Sequence, residues 1–317
     1  MMRSGIIFIA ALVIGLAACA PTSQGGDDRL RVVATTTQVG SIAAEIGGEA
    51  VDLTVLLQPG TEAHDYEMTP ADAAAVEDAA LVLRSGAGLE SWLDDALGTI
   101  ATDATLVDLS EGVELREPGE GEPAHEEEPG HAEEGAASHA DPHYWLSAPN
   151  AIQMVRKAAT ALGEARPAEA TAFDERAAIL IGRLEASDAE IRRLMGEIPE
   201  ERRGIVTDHD ALGYFIDEYG LRFVGSVFPN LDVSSEPSPL ELADLIETIR
   251  SEGVVAIFSE SAVNPELAET VAAETGATVV EEPLYTDSLG PPGSETDTLD
   301  GMLLHNARVI HGALVGS

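Results

Sequence analysis

From Leu30 onward the chain alternates short apolar runs with longer stretches of helical character, the pattern of strand and crossover helix that builds parallel sheets. The first half places strands at Arg31 to Ala34, Asp52 to Leu57, Leu81 to Arg84 and Thr105 to Asp108. The second places them at Ile205 to Thr207, Arg222 to Ser226, Val254 to Phe258 and Thr278 to Val280. Three helix starts carry capping signals. Thr69-Pro70 with Asp72, Ser238-Pro239 with Glu241, and Asn264-Pro265 each set a capping side chain before a proline at the first helical position. Between the two sets, one helix runs to about Gly163, breaks near Arg166-Pro167, and a second continues from about Ala168 to Gly196. Its apolar positions include Phe173, Ile179 to Ile181, Leu184, Ile191 and Leu194, and it would extend about 45 Å at 1.5 Å per residue. The expectation is an α/β chain of two lobes of similar make-up joined by a long helix, with no repeat strong enough to mark a duplication.

Two segments break the pattern. At the start, Arg3 precedes an apolar run from Gly5 to Leu16 that is too short to span a membrane and reads as an export signal. It ends in Leu16-Ala17-Ala18-Cys19, which looks like the lipobox of bacterial lipoproteins, with Cys19 as the lipidated first residue. The small, polar residues from Ala20 to Asp28 then read as a flexible tether. Further on, Glu111 to Asp141 is rich in Glu, Gly and Pro, has Arg116 as its only base and no apolar periodicity, and is expected to be a disordered loop. The resulting division is a signal peptide over 1–18, anchor and tether over 19–29, a first lobe over 30–150 that includes the loop 111–141, linking helices over 151–200, and a second lobe over 201–317.

Composition narrows the function. The 317 residues are 44% hydrophobic, enough for one large or two modest cores. A formal net charge of −40 argues against nucleic acid and anionic surfaces as partners and favours cations. The single cysteine excludes internal disulfides and cysteine-based zinc clusters. No nucleophile elbow, H-E-x-x-H, P-loop or dinucleotide motif is present, so catalysis has no obvious seat and the chain is not expected to be an enzyme. Histidines do stand in strand-end loops, where open α/β sheets bind ligands. His64 lies between a strand end and the capped helix, His143 in Asp141-Pro142-His143-Tyr144-Trp145, and His209 straight after the first strand of the second lobe. Singly, each is more often a surface or capping residue. Together, on an acidic exported chain, they suggest a metal in the cleft between the lobes. Asp287, after the last strand of the second lobe, is a candidate fourth ligand, although a lone aspartate is commonly a turn or cap residue. His305 and His311, on the C-terminal helix, read as surface or packing residues, and Trp92 and Trp145 as packing residues, Trp145 beside the His143 loop.

These motifs carry a resemblance. Pro59-Gly60-Thr61-Glu62-Ala63-His64-Asp65-Tyr66-Glu67, Asp141-Pro142-His143-Tyr144-Trp145-Leu146 after an acidic insertion, His209-Asp210-Ala211-Leu212-Gly213-Tyr214-Phe215 and the late Asp287 resemble, in this order, the zinc and manganese solute-binding proteins of bacterial ABC transporters (cluster A-I). The resemblance covers nearly all of Arg31 to Val315. It implies two (β/α)4 lobes with parallel sheets, a rigid linking helix, a metal bound by His64, His143, His209 and Asp287 in the interlobe cleft, and an ABC permease as partner. The chain departs from the family at Tyr144, where an aliphatic residue is frequent. Three imidazoles and a carboxylate suit zinc, whereas a carboxylate in place of His209 would be the manganese signature; manganese stays open because Asp287 can bind through both oxygens. His125, His131 and His139 in the acidic stretch read either as part of a solvated tether or as a weak zinc collector. The function implied is capture of extracytoplasmic zinc by a lipid-anchored monomer and its delivery for import, with a surface adhesin on the same scaffold as the rival. Release is expected to draw His64 and His143 away from His209 and Asp287 as the lobes separate.

Overall fold

The computed structural model describes residues 29–64, 66–116, 140–229 and 236–316; the export signal, Cys19, most of the tether and the histidines of the acidic stretch lie outside them. The first half runs β1 (Leu30–Ala34), α1 (Thr37–Gly47), β2 (Val51–Val55), α2 (Pro70–Asp78), β3 (Leu81–Arg84), α3 (Ser91–Leu97) and β4 (Thr105–Asp108). Next come α4 (Ala148–Ala165) and α5 (Ala170–Gly196). The second half runs β5 (Gly204–Thr207), α6 (Gly213–Tyr219), β6 (Arg222–Ser226), α7 (Pro239–Glu252), β7 (Ala256–Glu260), α8 (Glu266–Thr275), β8 (Thr278–Leu284) and α9 (Leu299–Val315). Among the described residues no helix is long and apolar enough to cross a membrane.

Each half builds one four-stranded sheet, in the orders β2-β1-β3-β4 and β6-β5-β7-β8. Every pairing is parallel. The most apolar strands take the centre: Val32 to Ala34, Leu81 to Leu83, and all of β5 and β7 are buried, while the outer strands keep exposed positions. Helices on both faces remove the central strands from water, which is why they read as unbroken apolar runs. In each sheet the chain reverses direction between two central strands, β1 with β3 and β5 with β7. That point leaves a crevice beyond the strand ends where ligands can sit.

The capping signals hold at two of three sites. Thr69 with Asp72 and Ser238 with Glu241 form reciprocal capping boxes. At the third, α8 begins one residue later than expected, and the Asn264 side chain accepts from the amide of Glu266 at 3.2 Å. Strands β7 and β8 run past their expected ends, to Glu260 and Leu284, because polar residues that look like loop in sequence find partners there. Helix α5, at 27 residues, spans about 40 Å rather than about 45 Å.

Helix α5 does not stand free between the lobes. One apolar core holds the first sheet, α4, α5 and α9 together with Ile205, Phe258 and Leu284 from the inner face of the second sheet. The alternate residues Val206 and Ile257 face a smaller core under α7 and α8. Arg183 on α5 bonds Glu45 of α1 at 2.5 Å and Asp300 of α9 at 3.1 Å, clipping both halves to the same helix.

Candidate metal centre

His64, His143, His209 and Asp287 converge from four loops at strand ends. The ligand-type atoms of the four lie within 4.8 Å of one another. His64 Nε2 is 3.2 Å from His143 Nε2, Asp287 Oδ1 is 3.1 Å from His143 Nε2, and Asp287 Oδ2 is 3.3 Å from His209 Nε2. Four donors about 2.0–2.1 Å from one ion at tetrahedral angles stand about 3.3 Å apart, so the cluster has the size of a single coordination shell. His143, His209 and Asp287 are buried, and His64 is half-buried at the mouth. Asp287 Oδ1 and Oδ2 and His209 Nε2 make no hydrogen bond although all three are sealed from solvent. Buried polar atoms are rarely left so, and a cation at the common centre would satisfy them together.

The loops carrying His64, His143 and His209 are each held by hydrogen bonds close to the ring. The His64 loop is closed by the capped start of α2, where the Tyr66 hydroxyl donates to Asp72 at 2.7 Å, and by the Trp92 indole, which donates to the Ala63 carbonyl at 3.0 Å. His143 is fixed by Asp141, whose Oδ1 accepts from the backbone amide of His143 at 2.9 Å and from Nδ1 at 2.8 Å. Arg116 donates to the other oxygen of Asp141 and to Asp217. The Arg116 guanidinium lies 1.8 Å from where a Cβ on Gly213 would stand, so a larger residue at the start of α6 would push it off Asp141. Residues 111–116 and 140–141, which the acidic pattern places in the loop, are thereby tied down, with the Asp141 amide donating to the Arg116 carbonyl. Tyr144, the departure from the family pattern, is fully buried and donates to the Ser85 carbonyl at 2.6 Å.

His209 repeats the arrangement in the second lobe. Glu260, at the end of β7, accepts from the His209 amide at 3.0 Å and from Nδ1 at 2.9 Å. With both Nδ1 atoms donating to carboxylates, His143 and His209 present Nε2 lone pairs to the centre, the tautomer a metal needs. Asp208 accepts from the Glu260 amide at 2.8 Å and is pushed up to about 7 by burial and by Glu260. Without a cation these groups hold protons tightly. Burial works against a charged His143, but Asp141 and Asp287 outweigh it and push the ring up to about 9; Glu260 and Asp287 likewise raise His209 well above its ordinary value. Burial opposes the charge on Asp287 too, yet His209 and His143 hold its carboxyl well below the usual range. Glu62, whose carboxylate accepts from the His64 amide, is raised by burial and by Asp287.

The loop carrying Asp287 belongs to the second half by sequence and is bonded chiefly to the first. The Thr286 carbonyl accepts from Gln38 at 3.0 Å and from Trp145 at 2.9 Å. Gly60 donates to the Ser288 hydroxyl at 3.0 Å, and Leu289 donates to the Thr37 hydroxyl at 2.8 Å. Sequence reasoning brought together the four residues at the centre but missed Glu260, Thr286, Gln38 and the roles of Asp141 and Arg116. Asp141 was readable as a carboxylate two residues before a histidine; Glu260, 51 residues from His209, gives no local signal. His305 and His311 stand apart from the centre, on the Pro283 carbonyl and Glu197.

Similarity to known proteins extends over most of the chain. The family model described as the zinc-uptake complex component A, periplasmic (ZnuA), matches residues 32–313. The manganese-binding lipoprotein MntA of Bacillus subtilis is 31% identical over 323 residues, covering 99% of this chain and 100% of its own. The periplasmic zinc-binding protein TroA of Treponema pallidum superposes with a TM-score of 0.79 at 26% identity, over 90% of this chain and 99% of that one. A manganese-bound mutant of the periplasmic metal-binding protein of Candidatus Liberibacter asiaticus gives 0.77 at 26% identity, over 90% and 100%. With its family model matched across both sheets and the linking helices, the chain belongs to the ZnuA family of periplasmic zinc-uptake components.

Proposed function

We propose that this protein captures a divalent transition metal outside the cytoplasm, zinc foremost, and delivers it to an ABC permease for import. The observation that carries the reading is the convergence of three imidazoles and one carboxylate on a buried centre, with unbonded Asp287 and His209 atoms facing it. His64, His143, His209 and Asp287 are the ligands in this reading, and Asp141 and Glu260 orient two of them. Four protein donors fill a tetrahedral shell and leave no open position for a reacting water, which favours carriage over catalysis. Three borderline nitrogen donors favour zinc. Manganese is the second reading, supported by Asp287, whose two oxygens turn toward different histidines of the centre and can both reach one ion, and by the manganese-binding relative.

The protein is proposed to work as a monomer tethered through a lipid on Cys19, after removal of 1–18, with 19–29 as the tether. Elemental analysis of protein purified without added metal, followed by competition between Zn²⁺ and Mn²⁺, tests the cargo; protein that takes up neither ion would refute the reading. Fatty-acid labelling that persists in Cys19→Ala would refute the anchor.

A further inference from the structure

Thr286 stands between the two networks that hold the ligands. It is 3% exposed, and both its polar groups are committed. Its hydroxyl donates to Glu260 Oε2 at 2.5 Å, inside the second lobe. Its carbonyl accepts from the first lobe, from Gln38 on α1 and from the indole of Trp145. Trp145 packs its ring edge-on against His143 with centroids 5.5 Å apart, and Glu260 holds the ring nitrogen of His209. Asp287 is the next residue along the chain. One residue therefore touches the supports of His143 and His209 and is covalently joined to the third buried ligand.

We infer that Thr286 is a positioning residue for metal capture, registering the ligands of one lobe against those of the other through its hydroxyl bond to Glu260. The assignment rests on the metal-capture reading and goes beyond it. The physical reason lies in the Glu260 carboxylate, which must present acceptors to the His209 amide and to Nδ1 at the same time. The Thr286 hydroxyl occupies its remaining face and fixes the rotation of the group. Without that donor, Glu260 Oε2 keeps only the His209 ring nitrogen at 2.9 Å, so the carboxylate is held less firmly against rotation, and the His209 ring with it. The carbonyl bonds to Gln38 and Trp145 depend on backbone alone and survive a side-chain change, so the two halves of the hub can be tested separately.

Thr286→Val keeps the branched shape and removes the hydroxyl; Thr286→Ser keeps the hydroxyl. The probes are Zn²⁺ affinity and dissociation rate by chelator competition, and the visible absorption of bound Co²⁺, which reports ligand geometry. Thr286→Val should weaken zinc by roughly 10- to 100-fold, mainly through faster release, and alter the Co²⁺ spectrum, while Thr286→Ser restores both. In a Glu260→Gln background, Thr286→Val should add less than about a threefold loss, because the effect passes through Glu260. Thermal unfolding of the metal-free variants checks that each is folded. Unchanged zinc release in Thr286→Val, failure of serine to restore it, or full additivity with Glu260→Gln would overturn the assignment and leave the metal-capture reading standing. Absence of Zn²⁺ and Co²⁺ binding by the unaltered protein would remove both.

Discussion

Glu260→Gln separates two effects that one carboxylate exerts on His209. The amide keeps the size of the side chain, and its oxygen can still accept from the His209 amide and Nδ1. What it loses is the negative charge. A cation bound at Nε2 would lie roughly 6–7 Å from the Glu260 oxygens, where a unit charge attracts a divalent ion by about 5 kcal/mol at an effective dielectric of 20. Carboxylates behind metal-bound histidines are usually worth 10- to 100-fold in affinity, about 1.4–2.7 kcal/mol. The difference has a physical source. The same charge raises the proton affinity of His209, so near neutral pH the metal must displace a proton that Glu260 itself helps to hold. Removing the charge weakens the pull on the metal and also the competition from the proton. The two partly cancel at pH 6.5, and as pH rises and His209 gives up its proton the first increasingly dominates. Zinc affinity of Glu260→Gln should therefore fall about tenfold at pH 6.5 and by clearly more at pH 9, measured by chelator competition with the unaltered protein alongside. A loss independent of pH, or greater at pH 6.5, would show that Glu260 does not act through the His209 ring.

His209→Ala should cost zinc several kcal/mol, as the loss of one ligand from a set contributing roughly 10–16 kcal/mol, whereas His209→Glu should shift preference toward manganese; competition titrations decide, and unchanged zinc affinity in His209→Ala would remove it from the ligand set. Metal-free His143, pushed up to about 9, is about 99% protonated at pH 7, and His209 is raised in the same direction, so zinc binding at pH 7 should release more than one proton, against about 0.7 for three histidines at 6.5. The sign follows: His143 stabilises the metal-free fold fully below about pH 6.5 and loses that contribution as pH rises through about 9, while metal affinity climbs over the same window. Calorimetry in buffers of different ionisation heat counts the protons, and fewer than one would contradict the assignment. Deleting Glu117 to Ser138 should leave the tight site intact and remove only weaker zinc equivalents in a titration. Thr69→Ala breaks the capping box of α2 and should lower stability by about 1 kcal/mol in denaturant unfolding.

Much of this molecule is legible in the chain because its signals are local. Central strands such as Leu81–Arg84 appear as apolar runs, since helices cover both faces of the sheets, and Thr69-Pro70 with Asp72 announces α2 within four residues. His209 could be placed because it follows the end of β5 at Thr207 directly, where a parallel sheet gathers its loops, whereas His64 and His143 lie well past Val55 and Asp108 and are placed by the motifs around them. The unreadable parts depend on distance along the chain. Nothing near Glu260 marks it as the partner of His209, and Ser259-Glu260 reads as loop beyond the strand because the bonds that bury Glu260 come from residues 208, 209 and 286. The shared core was hidden for the same reason: Ile205 and Val206 are adjacent and equally apolar, yet only the first faces α5 and α9.

Chain order and hydrogen bonding group the residues of the cleft differently. By chain order, Asp287 belongs with His209, and separating the lobes would draw that pair from His64 and His143. The bonds divide the ligands otherwise. Four hydrogen bonds join residues 286–289 to Gln38, Trp145, Gly60 and Thr37 of the first lobe, worth roughly 2–6 kcal/mol together at about 0.5–1.5 kcal/mol each. On the other side, the Thr286 hydroxyl bond to Glu260 holds this loop to the second lobe, and Asn306 grips both the amide and the carbonyl of Tyr285 just before it. Moving the second lobe with Asp287 would break these four bonds; moving it without Asp287 would break the Thr286–Glu260 bond, part Asp287 from His209 and bend the chain after Tyr285. The count of hydrogen bonds favours the second route. That route would leave Asp287 with His64 and His143 and withdraw His209, the residue on which the proposed choice of metal turns.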